Sequence, residues 1–517
     1  MGGHPASPSG RRRRRVFPLL LIVLCVPARP LPAEPQAPSG VVSHPESTPE
    51  CRWDGATLLV DLPCALRLAR ENAFEILDQE TNVRGSQRRE SVARQDFRVQ
   101  ITPALTAFRS EIPTSAPAPA PTPAPVASTT ETYRAGLRLS KLFDIGTTVA
   151  VEPFYEFGGG NQSSGVAAGI TQPLLRGIAP VYVNNSLDGA TSQAKVAGWS
   201  QEQSCLATLV GVVDQLSSLG EIQERHRLYS ESLLSMETKL TITEARERAG
   251  LASSLDVLRA KIERTNLRDL VASVSEQLGD AGDRLRFTLR LPAGLPIRGL
   301  IGPRDQPEAS ERDAETSGRF DVMIAAESLS EARRQVRITR HAILPDLNAT
   351  FNLGYTHNEV NTILGTTYPS GVSWTLSLRS SGEIRRFAEK AAYQDALDRV
   401  EIAARALVQT QERARDEIRS VGRQLERLRK QETIQREQIE QAASKLAIAE
   451  AKFRNGLASN FDFLEAETEL RNAQASFLTA QRDLVPTLHR LLNGMGRYES
   501  WLKETYAVDC AARTASR

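Results

Sequence analysis

One short motif occurs twice in this chain, and the repeat constrains the fold more than any other feature of the sequence. Residues 244–260 and residues 450–466 share ten identities at an offset of 206 positions. Each copy contains a Gly-Leu pair, and glycine suits the left-handed position at which a helix ends. A serine follows the glycine and can cap the next helix, whose first turn carries an aspartate. Each copy therefore predicts the tip of a helical hairpin, and the pair predicts an internal two-fold repeat.

Long stretches without proline surround both motifs. There are 111 residues without proline between Pro180 and Pro292, and a second such stretch of 116 residues follows Pro369. A helix from Asn185 to the first tip would be about 98 Å long at 1.5 Å per residue. From residue 397 onward, aliphatic residues recur at alternating spacings of three and four, which is typical of a coiled coil. The chain is therefore expected to form long antiparallel α-helical hairpins.

Alternating apolar and polar residues indicate several strands before each long helix. The alternation covers residues 97–107, 133–139, 149–151, 166–170, 347–355 and 374–378. No other segment supplies a core for the apolar face of these strands, whereas an outer-membrane barrel would present that face to lipid. One chain has too few strands to close a barrel, so several copies are required. Candidates for aromatic girdles at the membrane surfaces are Tyr133, Phe154, Tyr155, Tyr355, Tyr368 and Trp374.

The N-terminus has the character of a signal peptide. Arg11–Arg15 form a basic segment, and Val16–Ala28 form an apolar segment too short to span a bilayer. An ordinary secretory signal is favoured over a twin-arginine signal, and Leu24 disfavours lipidation at Cys25 because a small residue is expected there. No other stretch is apolar enough to predict a transmembrane helix. The net charge of +2 predicts no nucleic-acid partner.

Four cysteines follow the signal peptide, at positions 51, 64, 205 and 510. Export permits a disulfide between Cys51 and Cys64, although free thiols are equally compatible with the sequence. The six histidines lack metal-binding spacing, and no phosphate loop, nucleophile elbow or catalytic carboxylate pair is recognisable. We therefore expect neither an enzyme nor a cofactor or metal site.

These patterns divide the chain into two similar halves within an α + β membrane protein. The predicted segments are a signal peptide at 1–33, a disordered segment at 34–56, a first opening helix at 57–96, strands with a Pro/Ala-rich extracellular loop at 97–177, a helical hairpin at 178–291, a linker at 292–316, a second opening helix at 317–344, a β-hairpin at 345–380, a second helical hairpin at 381–496 and a tail at 497–517.

The chain resembles the TolC-like outer-membrane efflux and secretion channels over residues 57–500. The similar motifs are the opening helix at 62–72, the Gln-Pro-Leu-Leu-Arg-Gly junction at 172–177, the segments at 319–322 and 344–347, and above all the two Gly-Leu-Ala-Ser tips. The first half contains three or four strand-like segments where the family pattern has two. Either one pair of strands forms an extra hairpin, or the barrel is larger.

The resemblance implies a homotrimer with a twelve-stranded barrel in outer-membrane lipid and a coiled-coil barrel of helices that extends through the periplasm. The tips would form the inner aperture and would meet a periplasmic adaptor joined to an inner-membrane pump. The expected function is the exit duct of a tripartite efflux system, passive and gated at its tips. The alternatives are the outer-membrane channel of a type I protein secretion system, with the same fold, and a periplasmic structural coiled-coil protein.

The resemblance also assigns candidate residues to the tips. Asp462 and Glu465 match the positions of acidic rings that line the aperture and favour cations, although Asp462 could simply favour the helix N-terminus. Asp256 and Arg259 occupy the first tip, where Arg259 could form a cross-tip ion pair or be an ordinary surface charge. Phe453 is either an apolar constriction or a packing residue. The expected adaptor-docking residues are Arg248, Gly250, Leu251, Arg454, Gly456 and Leu457.

Overall fold

The computed structural model describes residues 51–114, 126–158, 161–300, 318–362, 365–382, 385–455, 457 and 459–511. All of them belong to one structural unit. The signal peptide, most of the Pro/Ala-rich loop, the larger parts of the segments predicted at 34–56 and 292–316, and Gly456 lie outside the described residues.

Helices make up most of the described chain. They are α1 (Leu62–Asn72), α2 (Phe74–Gln95), α3 (Pro180–Val183), α4 (Asn185–Arg248), α5 (Ser254–Leu289), α6 (Phe320–Ala342), α7 (Phe387–Arg454), α8 (Asn460–Gly494) and α9 (Tyr498–Tyr506). The two longest, α4 and α7, contain 64 and 68 residues, which corresponds to about 100 Å each. They form antiparallel hairpins with α5 and α8, as the proline-free stretches predicted.

The opening helix of the first half is not continuous, contrary to the prediction. Residues 57–61 form a strand, and Ala73 adopts an extended conformation, with ψ 129°, that separates α1 from α2. The two helices differ in what they bury. Seven of the eleven residues of α1 are buried, but only four of the 22 residues of α2 are. The break thus separates a helix that belongs to the core from one that lies along α4 with a largely exposed, polar surface.

The strands form two separate sheets. They are β1 (Arg52–Asp54), β2 (Thr57–Asp61), β3 (Gln100–Thr114), β4 (Val126–Leu142), β5 (Thr148–Gly158), β6 (Asn161–Pro173), β7 (Ile297–Leu300), β8 (Asp346–Thr362), β9 (Gly365–Thr367) and β10 (Ser370–Ser381). The large sheet has the order β10-β8-β6-β5-β4-β3, with the short β9 paired to β8. Its long strands are all antiparallel to their neighbours. Four of them come from the first half, which is the higher of the two numbers that the sequence allowed.

The register of the large sheet produces one apolar and one polar face. One transverse row is apolar on every strand, and it reads Trp374, Leu353, Ala168, Val151, Leu139, Ile101 from β10 to β3. The next row lies on the opposite face because side chains alternate along a strand. That row reads Thr375, Asn352, Gly169, Ala150, Ser140, Gln100.

Phe154 is an exception among the predicted girdle aromatics. It pairs with Gly136 and Gly165 and therefore lies on the polar face, opposite Tyr155. The Arg134 guanidinium lies 4.0 Å from the centre of its ring. The sequence prediction was wrong for this residue because it considered aromatic character without the alternation of neighbouring side chains.

The small sheet anchors the main core. It has the order β1-β2-β7, so the segment predicted as a linker at 292–316 contains a strand that pairs with β2 in parallel. The core gathers side chains from β2, α1, α4, α5, α8 and α9. Its largest fully buried members include Leu58, Leu62, Leu66, Leu209, Leu216, Leu285, Leu289 and Tyr498.

The C-terminal tail is attached to this core. A disulfide joins Cys205 of α4 to Cys510, and a second joins Cys51 to Cys64. Arg70 is buried and donates to the backbone carbonyls of Asp509 and Cys510 at 2.8 and 2.9 Å. The segment predicted as a tail is therefore part of the folded core up to residue 511, and α9 lies within it.

One helix, α4, contains a window that is long and apolar enough to cross a membrane by composition, contrary to the expectation from the sequence. More than half of that window, 56%, is buried inside the protein. The apolar residues of α4 serve the core described above, and core helices of soluble segments meet the same criterion.

Candidate functional site: the helical tips

The first tip ends α4 with a complete Schellman motif. Gly250 adopts a left-handed conformation with φ 74°. Its N–H bonds to the Glu247 carbonyl at 2.9 Å, and the Leu251 N–H bonds to the Arg246 carbonyl at 2.8 Å. At the second tip, the Leu457 N–H bonds to the Lys452 carbonyl at 2.8 Å, which is the equivalent contact. Both long helices therefore end at the predicted positions.

The return helices α5 and α8 begin with identical capping boxes. Ser253 accepts a hydrogen bond from the Asp256 N–H at 3.2 Å, and Asp256 Oδ2 accepts one from the Ser253 N–H at 3.1 Å. The corresponding distances between Ser459 and Asp462 are 3.2 and 3.0 Å. Each aspartate thus stabilises the start of its helix, and this is the simpler of the two roles that the sequence allowed for Asp462.

Asp462 belongs to a group of acidic side chains on one side of α8. Asp462, Glu465 and Glu469 are exposed and are spaced three to four residues apart, on one helix face. Lys445 of α7 donates to Glu469 at 2.7 Å, and this bond, followed by the charges of Glu469, Glu465 and Asp462, raises the pKa of the Lys445 ammonium. The acidic face is therefore partly neutralised by a lysine of the same hairpin, which the sequence analysis did not identify.

The cap also affects the ionisation of Asp462. Hydrogen bonds from the Ser459 hydroxyl and backbone N–H lower the pKa of the Asp462 carboxyl, and the nearby charges of Lys452 and Lys445 add to this effect. These contacts favour the ionised form. Asp462 consequently stays negatively charged at neutral pH while it caps α8.

Two aromatic side chains make cross-tip contacts. Phe453 stacks on Phe463 with ring centres 5.6 Å apart, and the Arg246 guanidinium of α4 lies 4.8 Å from the Phe453 ring centre. Arg259 of α5 lies 5.1 Å from the centre of the Phe461 ring. In the described part of the chain, Arg259 contacts this ring rather than an acidic partner. Arg246, Phe461 and Phe463 were missed because a sequence pattern does not show which faces of the two hairpins meet.

Ion pairs behind the tips also join the two halves. Arg471 of α8 has a side chain only 7% exposed and donates to Glu263 of α5 at 2.6 Å. Lys239 of α4 lies 2.6 Å from Glu467 of α8. Because both pairs connect a first-half helix with α8, any separation of the hairpins at the tips must break them.

The described docking candidates are largely exposed. The side chains of Leu251 and Leu457 are 79% and 78% exposed, which is unusual for leucine. Arg454 is exposed beside Glu450, and Arg248 is exposed beside its own helix, whose Glu244 carbonyl it contacts at 3.3 Å. Among the described residues, no group of three His, Cys, Asp or Glu side chains could hold a metal ion.

Comparison with known proteins agrees with this architecture. A family model described as outer membrane efflux protein matches residues 313–497, which include the second tip. The matched segment is about a third of the chain. The match confirms the predicted resemblance to outer membrane efflux proteins over these residues.

The curated relatives of this chain are distant. The pyoverdine export outer membrane protein OpmQ of Pseudomonas putida is 24% identical over 482 residues, covering 90% of this chain and 92% of the relative. The OpmQ of Pseudomonas aeruginosa is 23% identical, and the alignment covers 57% of this chain and 61% of the relative. The chain thus spans about three-fifths of the length of that second relative.

Solved structures show the same fold. The outer membrane protein VceC of Vibrio cholerae superposes with a TM-score of 0.62 at 16% identity, covering 84% of this chain and 96% of VceC. A membrane protein of Pseudomonas aeruginosa gives a TM-score of 0.65 at 17% identity, covering 90% and 95% of the two chains.

Proposed function

We propose that this protein forms, as a homotrimer, the passive outer-membrane exit duct of a tripartite efflux system. The observation that carries the proposal is the difference between the two ends of the long helices. An antiparallel sheet with an exposed apolar face is joined to one end of helices about 100 Å long, and the polar, capped tips lie at the other end. Such a chain suits a duct that is anchored in lipid and reaches across the periplasm.

The tips are the proposed docking site for a periplasmic adaptor, which an inner-membrane pump would join. Exposed Leu251 and Leu457 lie at the ends of neighbouring hairpins and offer apolar contacts without any need to unfold a helix. The polar rim around these leucines consists of Arg248 and Arg454, and Gly250 forms the turn that presents Leu251. Apolar anchors within a polar rim are typical of protein interfaces.

The proposed gate is the acidic face of α8 with its cross-tip contacts. Threefold symmetry would bring the Asp462 and Glu465 side chains of three copies around one axis, where they would attract cations. The contacts of Phe453 with Arg246, and of Arg259 with Phe461, would hold neighbouring hairpins together in the closed state. Asp256 would then contribute only to the cap of α5.

Two observations distinguish this function from its alternatives. Two of the curated relatives are named for pyoverdine export, which favours export of a compound over secretion of a protein. A periplasmic filament would have no use for a sheet whose apolar row exposes Trp374, Leu353, Val151 and Ile101.

The decisive experiment measures oligomeric mass and conductance. The full-length protein, extracted from outer membranes in detergent, should have the mass of a trimer and should conduct ions in planar lipid bilayers. A monomer that stays soluble without detergent and does not conduct would contradict the proposal.

A second experiment tests the gate. The double variant Asp462→Ala, Glu465→Ala should reduce the preference for cations over anions, because it removes two carboxylates per copy from the aperture. Asp256→Ala is the matched control, since it removes the equivalent cap from the first tip. Equal ion selectivity in the double variant and in the unmodified channel would exclude the acidic ring.

A further inference from the structure

The large sheet offers a second interface, at its two edges. The geometry points to a barrel of eighteen strands rather than twelve, in which β10 of one copy pairs with β3 of the next copy. The inference rests on the proposed trimer, because six long strands from each of three copies give eighteen. At each of the two sheet edges, the binding partner is another copy of this chain.

All six long strands share one membrane-facing surface. The apolar row from Trp374 to Ile101 crosses every strand without interruption, and a row of small and polar residues runs parallel to it on the opposite face. If one hairpin lay outside the barrel wall, its apolar positions would have no reason to continue this row in register. The alternation is that of a barrel with lipid outside and water inside.

The strands are also long enough to cross a bilayer. Their lengths are 15, 17, 11, 13, 17 and 12 residues for β3, β4, β5, β6, β8 and β10. A tilted transmembrane strand needs about 9–11 residues. All six strands are therefore long enough to be part of the barrel wall.

The turn between β4 and β5 is built into the rim of the sheet. Gly146 lies in this turn with φ 78°, and a Cβ at this position would collide with the Gly177 carbonyl and with Pro173 of the junction that leads to α3. Thr147 contacts the side chain of Gln172 in the same junction, and Gln172 donates to the Ile145 carbonyl at 3.4 Å. The turn that connects β4 to β5 is thus packed against the strand-to-helix junction within the sheet.

The edges require partners because lipid offers no hydrogen bonds. In the described chain, β3 pairs only with β4 and β10 only with β8, so each has one unpaired edge. An unsatisfied backbone group in the bilayer core costs several kcal/mol. Six strands are fewer than the eight of the smallest transmembrane barrels, so one copy does not close on itself.

The two edges are complementary in direction. In an antiparallel series with an even number of strands, the first and last strands run in opposite directions, so β10 of one copy can pair with β3 of the next in antiparallel fashion. The apolar row reaches both edges, with Ile101 on β3 and Trp374 on β10. Head-to-tail pairing around a threefold axis then closes the ring. Barrels of 16–18 strands enclose an aqueous channel.

Disulfide cross-linking between copies tests this pairing. Cysteines are introduced in pairs into the full-length protein, one on β3 at Ile101 or Leu105 and one on β10 at Val372, Trp374 or Leu376. The set samples several registers, since only opposed residues approach closely enough to bond. After mild oxidation, at least one pair should shift the protein from monomer to trimer mass on a denaturing gel, and reductant should reverse the shift.

The matched control replaces β3 by β5. In a twelve-stranded barrel that excludes the β3–β4 hairpin, the free edge is β5, so cysteines at Val149 or Val151 would link to those on β10. Links from β10 to β5, without links to β3, would overturn the eighteen-stranded barrel while leaving the proposed duct intact. Detergent-extracted protein that is not a trimer would contradict the proposed function itself.

Discussion

The long helices are held together differently at their two ends. Near the small sheet, α4 contributes Leu209, Leu216 and Leu219 to a continuous core, and a disulfide and the buried Arg70 attach the C-terminus to it. Near the tips, buried apolar contacts shrink to two small clusters of three residues each. Capping boxes, cation–π contacts and ion pairs hold the hairpins there. The comparison indicates that stability is concentrated at one end, and that the other end can rearrange at low cost.

The disulfide at the core end should have the largest effect on stability. Replacing both cysteines, Cys205→Ala with Cys510→Ala, should lower the free energy of unfolding by about 5 kcal/mol, because the bond constrains a long loop of the unfolded chain. It joins residues 305 positions apart, whereas Cys51 and Cys64 are 13 apart. The pair Cys51→Ala with Cys64→Ala should cost about 3 kcal/mol. Denaturant titration of the detergent-solubilised protein measures both, and equal losses would contradict the loop argument.

A single core leucine should have the next largest effect. Leu216 is fully buried, so Leu216→Ala should cost about 3 kcal/mol through lost burial and a residual cavity. Leu258 near the first tip is 54% exposed, and Leu258→Ala should cost less than about 0.5 kcal/mol. The same titration compares the two variants. A similar cost at both sites would remove the distinction between a packed end and a weakly packed end.

The pair between Arg471 and Glu263 should matter more than other tip charges. Arg471→Met leaves the carboxylate of Glu263 without its charged partner, at a cost of about 2 kcal/mol. The exposed pair of Arg454 with Glu450 provides the control, and Arg454→Met should cost less than about 1 kcal/mol. Hydrogen exchange of α5 and α8 amides would locate the loss. Exchange that accelerates equally in both variants would mean that the cross-half pair has no special role.

The caps should have the smallest and most local effect. Ser459→Ala should destabilise the start of α8 by about 1 kcal/mol, as Ser253→Ala should for α5. The lowered pKa of Asp462 means that its cap contributes stability above the ordinary aspartate pKa. The contribution should disappear as the pH falls through the lower pKa of the folded state. Amide exchange at the second tip that is independent of pH in this acidic range would contradict the assignment.

Much of this architecture could be predicted because it depends on local rules. The Gly-Leu pairs and the serines beyond them set helix ends, and the absence of proline allowed the long helices. Strand alternation predicted the faces of the large sheet. Local rules failed at Ala73, where the chain changes from a buried helix to a polar one, and at Phe154, where register decides the face.

The sequence by itself determined where helices end, which strand positions are apolar, and that the motif occurs twice. Each of these depends on residues a few positions apart. Only the tertiary structure decided that Cys205 meets Cys510, that Arg471 meets Glu263, and that the strands of both halves form one sheet through the pairing of β6 with β8. These contacts join residues more than a hundred positions apart, and their formation depends on how whole elements pack rather than on any local pattern.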